Sequence, residues 1–113
     1  MRETAMSAVI ELRNYELETR TLDNNRMVEF MVRDNTDGLH DNFVVSVNIQ
    51  PECFGDENGN VSVLFCVRYG RLDHDSDQRF LTLEAAKAEV DARIEKAKVQ
   101  HEAILEAKRR NNG

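Results

Sequence analysis

The carboxylates of Asp73, Asp75, Asp77 and Glu84 fall at positions 1, 3, 5 and 12 of a twelve-residue segment, a spacing that suits oxygen ligands around a calcium ion. Phe80 at position 8 is apolar, and a helical pattern follows. Gln78, however, stands where the sharp turn takes glycine, and Leu81 at position 9 offers no oxygen. The 73–84 stretch is therefore expected to be an acidic loop leading into a helix, with a metal-dependent module as a secondary reading. Asp56-Glu57-Asn58-Gly59-Asn60 also alternates oxygens, but its twelfth position is Val67, and Asn58-Gly59 is turn chemistry.

The remaining reactive side chains are His40, His74, His101, Cys53 and Cys66. None has the paired spacing of a structural zinc site, and a Cys53 nucleophile with His40 or His74 as base requires a meeting in space that no spacing implies. Cys66 lies in a strand pattern and reads as a small hydrophobe, whereas Cys53 lies in a polar stretch and reads as the more reactive thiol. Glycine-rich phosphate loops and nucleophile elbows are absent from the sequence. The expectation is a protein that is not an enzyme and needs no cofactor.

Alternation at period two outlines the elements that hold these residues. A first strand runs from Ala8 to Arg20, and its apolar parity switches near Arg13-Asn14, which predicts a bulge or break there. Asp23-Asn24-Asn25 is a turn, and Met27 to Arg33 is a second strand with Val28, Phe30 and Val32 on one face. A reversal through Asn35-Thr36-Asp37-Gly38 leads to a third strand, Phe43 to Ile49, which Pro51 is expected to end. A fourth strand, Val61 to Tyr69, presents Val61, Val63, Phe65, Val67 and Tyr69 as the candidate core face.

From Thr82 to Arg110 the period changes to that of a helix. Thr82 is the expected N-cap, Glu84 sits in the first turn, and Leu81 is placed to staple against Ala86. The apolar stripe is Leu83, Ala86, Val90, Ile94, Ala97 and Ile104, and it becomes more polar in the second half of the helix. A helix of ~29 residues is about 43 Å long and should outrun a small sheet. The partner surface is accordingly assigned to Val90, Ile94, Ala97, His101, Ile104 and Leu105, with a second copy of the chain as the simplest partner. The architecture expected is one α+β domain over 1–113: a four-stranded antiparallel meander (8–69) with one long C-terminal helix (82–110) packed on one face.

Charge narrows the function further. Residues 1–81 hold 15 acids and 8 bases, residues 82–113 hold 6 acids and 7 bases, and the net is −6. Such a chain is not expected to bind nucleic acid directly. With no apolar segment suited to a signal or a membrane span, the expected location is the cytoplasm, with free thiols. The leading reading is a small protein-binding or regulatory module. The alternative is an acidic inhibitor, of the kind small accessory proteins of phages and mobile elements employ, that mimics nucleic-acid charge and blocks a basic cleft.

Overall fold

Alternating sequence becomes paired strands in β1 (Tyr15–Leu22), β2 (Met27–Asp34), β3 (Phe43–Gly55) and β4 (Val61–Tyr69), joined by β5 (Asp73–Phe80) and followed by the helix α1 (Leu83–Asn112). The computed structural model describes residues 13–22, 24–36, 42–70 and 73–112. The strands form one antiparallel sheet in the order β1-β2-β3-β4-β5. The α+β class is as expected, but the sheet has five strands rather than four. Asp73 to Phe80 is a strand and not the predicted loop. Its charged sequence suits an edge, where carboxylates and Arg79 discourage a further strand from pairing.

Local chemistry sets the reversals. Asn24 and Asn25 adopt φ of 53° and 69°, the left-handed region that asparagine tolerates, and turn β1 into β2. Asp56 organises the β3–β4 turn: its Oδ1 accepts the N–H groups of Asn58 (2.9 Å) and Asn60 (2.8 Å), while Gly59 takes φ of 81°. β1 begins at Tyr15, after the predicted break at Arg13-Asn14, and the Ala8–Leu12 part of the expected strand lies outside the described residues.

Pro51 does not end β3, which continues to Gly55 and pairs Pro51 with Phe65. Pairing with β2 stops at Ile49, so beyond it β3 has a neighbour on one side only among the described residues, and a residue without an N–H is tolerated there. The β3–β4 hairpin thus overhangs the rest of the sheet. At its tip Val61 and Val63 are 71% and 43% exposed, which removes them from the predicted core. Only the later part of that face remains in the core, with Val67 buried and Phe65 and Tyr69 packed against it.

The core joins Phe30 and Val32 of β2, Val45, Val47 and Ile49 of β3 and Val67 of β4 to Ala86, Val90 and Ile94 of α1. Thr82 caps the helix as expected, its Oγ1 accepting the Ala85 N–H at 3.1 Å. Leu81 is 81% exposed and forms no staple. A register shift at Val32/Arg33 inserts Val44 into β3, so that Val44 packs on the core although strict alternation points it away. A second shift, between Val67 and Tyr69 of β4, leaves Ser76 of β5 accepting the Tyr69 N–H on its hydroxyl at 3.0 Å. The Ser76 carbonyl accepts from Nη2 of the buried Arg93 at 2.7 Å.

The face without the helix carries cross-strand ion pairs: Arg33–Glu18 at 2.5 Å, Arg20–Glu29 at 2.9 Å, Arg79–Glu52 at 2.8 Å and Arg68–Asp77 at 3.4 Å. The more exposed Arg33–Glu18 pair contributes about 0–1 kcal/mol, whereas Glu29 is buried and Arg68 and Asp77 are largely covered. The aliphatic stems of these arginines do more, because they lie beside Met31 and Cys66, both buried although no helix or strand among the described residues layers over that face. Burial pushes the Cys66 thiol up, as suits an inert side chain.

Replacing Ile94 by Ala should cost about 2–5 kcal/mol in urea denaturation, as for other core truncations. Val61→Thr and Val63→Thr should change stability by no more than about 0.5 kcal/mol. A large loss in the hairpin variants would show that its tip is part of the core.

Candidate functional site

Asp34 continues the inward parity of Val28, Phe30 and Val32, and it arrives fully buried at the end of β2. Every oxygen it presents is occupied. Oδ1 accepts the Thr36 N–H (3.0 Å) and hydroxyl (2.5 Å), and Oδ2 accepts Arg13 Nε (2.8 Å), Arg13 Nη2 and His101 Nε2 (2.9 Å). Since an ionised carboxylate only accepts, the His101 nitrogen facing it carries the hydrogen. Next to this cluster the Tyr15 hydroxyl donates to Glu102 Oε1 at 2.7 Å, Arg13 Nε lies 3.7 Å from Glu102, and the Tyr15 ring meets His101 edge-on with centroids 6.2 Å apart.

Electrostatics follow from this crowding. Burial alone raises the Asp34 carboxyl, but the bonds from Thr36, Arg13 and His101 outweigh it and hold the group well below the ordinary carboxylate range. Tyr15 is pushed far above an ordinary phenol by burial, by its bond to Glu102 and by the carboxylate charges of Glu102 and Asp34. An Asp–His pair can orient an acid–base site, yet the Thr36 hydroxyl donates to Asp34 itself. The cluster therefore works as a clasp that fastens the turn at His101-Glu102 of α1 to β1 and β2.

Beyond the clasp the helix leaves the sheet, and residues 106–111 are exposed. Beside it runs a groove of about 470 Å³ lined by Phe43, Val44, Val45, Ala97, His101 and Ile104, among others. A second hollow of about 430 Å³ follows along the same flank and shares Tyr69 and Lys96 with the first. Its walls include Asp75, Asp77, Glu89 and Arg93.

The six residues assigned to a partner divide between these environments. Val90 and Ile94 are buried in the chain's own core, because α1 lies against β3 and β4 along that stretch, so they are not surface contacts. Ala97 is half-buried on the groove wall, and His101 is half-buried in both clasp and groove. Ile104 is 54% exposed on the groove rim, and Leu105 is half-buried. Of the acids considered for calcium, Asp77 pairs with Arg68, Asp75 is exposed on β5, and Glu84 is exposed in the first turn of α1. Among the described residues no three His, Cys, Asp or Glu side chains gather as metal ligands do. Cys53 is exposed, Cys66 is buried, and His40 lies outside the described residues. Sequence reasoning missed Arg13, Tyr15, Asp34, Thr36 and Glu102. The available signal was an aspartate at an inward position of a strand.

Asp34→Ala should cost about 3–5 kcal/mol at neutral pH, because Arg13 and His101 lose the charge that compensates their burial. Since the folded carboxyl titrates below the unfolded one, its contribution is present above about pH 4 and declines as pH falls from there, so parent and variant should converge in acid melts. Tyr15 has the opposite sign: its contribution is present below about pH 10 and is lost at higher pH, and Tyr15→Phe should abolish that alkaline loss. Denaturation curves across pH read both effects, and a parallel offset between parent and variants at all pH values would count against the clasp.

Among the described residues no helix is long and apolar enough to cross a membrane. Comparison with models of protein families, with curated proteins and with solved structures found no match for the chain.

Proposed function

We propose that this chain is a non-enzymatic protein-binding or regulatory module that pairs with a protein, most simply a second copy of itself, through the second half of α1. The observation that carries this reading is Phe43 and Ile104, which are 52% and 54% exposed while lining one groove at the end of the sheet. Large apolar side chains grouped around a concavity favour contact with another macromolecule. The clasp supports the same reading, since it fixes the helix at His101-Glu102 and so sets the direction in which the following residues leave the sheet.

The nucleic-acid mimic draws less support. A mimic needs a field of one sign, whereas the carboxylates on the helix-free face alternate with Arg20, Arg33, Arg68 and Arg79.

The test is Ile104→Asp combined with Leu105→Asp. Burying both residues contributes roughly 2–5 kcal/mol by area, reduced by the entropy of association. The double variant should keep its circular dichroism and lose association in analytical ultracentrifugation. A double variant that associates as the parent does would move the contact surface elsewhere.

A further inference from the structure

The other free edges of the sheet are obstructed in ways that β1 is not. β5 presents Asp75, Asp77 and Arg79 and breaks its register with β4, and the overhang of β3 contains Pro51. β1 has no glycine, proline or bulge. Its register with β2 runs unbroken from Tyr15↔Asp34 to Leu22↔Met27, and among the described residues no strand lies on its other side. Leu17 is 55% exposed, and Thr19, Arg20 and Thr21 are exposed as well.

The pairing with β2 decides which backbone groups are left over. Asn14, one step before β1, turns its carbonyl to the Asn35 N–H (2.8 Å) and its N–H to the Thr36 hydroxyl (2.5 Å). Along an antiparallel strand such groups alternate in direction, so Glu16, Glu18 and Arg20 bond toward β2 while Leu17, Thr19 and Thr21 turn N–H and C=O outward. Side chains alternate as well. Glu18 and Arg20 share the helix-free face, where Glu18 pairs with Arg33 and Arg20 with Glu29 of β2. Both keep much of their surface in water, with side chains 44% and 47% exposed.

We infer that β1 is a second contact surface, which takes β1 of another copy of this chain antiparallel about a twofold axis at Thr19. In that register Thr19 faces Thr19, Leu17 faces Thr21, and Glu18 faces Arg20 of the other copy, each twice. The outward groups of residues 17, 19 and 21 close about six hydrogen bonds across the seam. Glu18 and Arg20 fall at the non-hydrogen-bonded positions, where facing side chains come closest. Across the seam the row Glu29, Arg20, Glu18, Arg33 then alternates in sign over four strands, two from each copy. Charge also selects this register. An axis at Glu18 or at Arg20 sets that residue against itself, an axis at Leu17 sets Glu16 against Glu18, and an axis at Thr21 leaves most of the strand unpaired. This self-complementarity commits the edge to a second copy. The contact is separate from the α1 surface proposed above and uses neither Phe43 nor Ile104, and two independent twofold contacts on one chain join copies into open rows.

The register supplies the test. In a Cys53→Ser background, Thr19→Cys should form a disulfide between copies on mild oxidation, because facing Cα atoms of a hydrogen-bonded antiparallel pair lie about 5.5 Å apart, within disulfide reach. Leu17→Cys and Thr21→Cys should each fail to cross-link alone and should cross-link when mixed. Thr19→Pro removes an outward donor and spares the ladder to β2, so it should weaken the seam at least about tenfold in analytical ultracentrifugation while circular dichroism stays unchanged. Ile104→Asp with Leu105→Asp should leave the Thr19→Cys cross-link intact and shorten longer assemblies to the strand-joined pair. No cross-link at Thr19, equal cross-linking at all three positions, or Leu17→Cys and Thr21→Cys that react alone as well as together overturns the strand seam. If Ile104→Asp with Leu105→Asp reduces association while the cysteine pattern fails, the α1 reading stands and the seam falls. If the cysteine pattern holds while that double variant associates as the parent does, the seam stands and the α1 reading falls.

Discussion

A carboxylate sealed from water is tolerated only when donors saturate it, and Asp34 meets that condition with donors from three parts of the chain: Arg13 before β1, Thr36 after β2 and His101 of α1. Any helix placement that withdraws His101, or any strand end that withdraws Arg13, leaves uncompensated charge in a dry site. Apolar packing of Ala86, Val90 and Ile94 holds the helix on the sheet but tolerates sliding, because one small aliphatic contact resembles the next. The Asp34 network is directional and does not. It converts a general preference for helix on sheet into one defined seating, and the groove at the end of the sheet depends on that seating.

A second constraint is width. Five strands at about 4.8 Å extend across roughly 19 Å, while a helix with its side chains covers about 10–12 Å. One helix therefore cannot cover one face, and nothing among the described residues layers over the other. The chain meets the shortfall in two ways. Over the helix-free face, arginine stems and their carboxylate partners lie beside Met31 and Cys66. On the helix side, Lys87, Arg93 and Lys98 extend over the rings of Phe30, Tyr69 and Tyr15 at 4.6, 4.8 and 5.2 Å. Long charged side chains thus take the part that a second helix plays in a larger domain.

The elements visible in the sequence are those in which apolar periodicity and burial coincide. β2 and the start of β3 alternate cleanly and sit beneath the helix, and Thr82 caps the helix where capping chemistry places it. β5 was hidden because an edge strand of Asp, Ser, Gln and Arg has no apolar face to betray it. Pro51 misled because the prohibition on proline in strands presumes a neighbour on both sides, and among the described residues there is none beyond Ile49 on the β2 side. Val61 and Val63 have the same alternation as Val67, so nothing local distinguishes the overhanging end of β4 from its covered end. For the site, His101 was reached through its position on the helix, but its partner was not. Asp34 occupies an inward position that periodicity marks and polarity disguises.

The overhanging hairpin has a bearing on what the molecule avoids. Its exposed valines and open β3 edge offer the ingredients for stacking of strands between molecules, the route by which soluble proteins become fibres. Pro51 stands on that open edge without an N–H, so an incoming strand finds the hydrogen-bond ladder interrupted near its start. By withdrawing one donor from that edge, Pro51 weakens the ladder through which another molecule's strand could add to the hairpin.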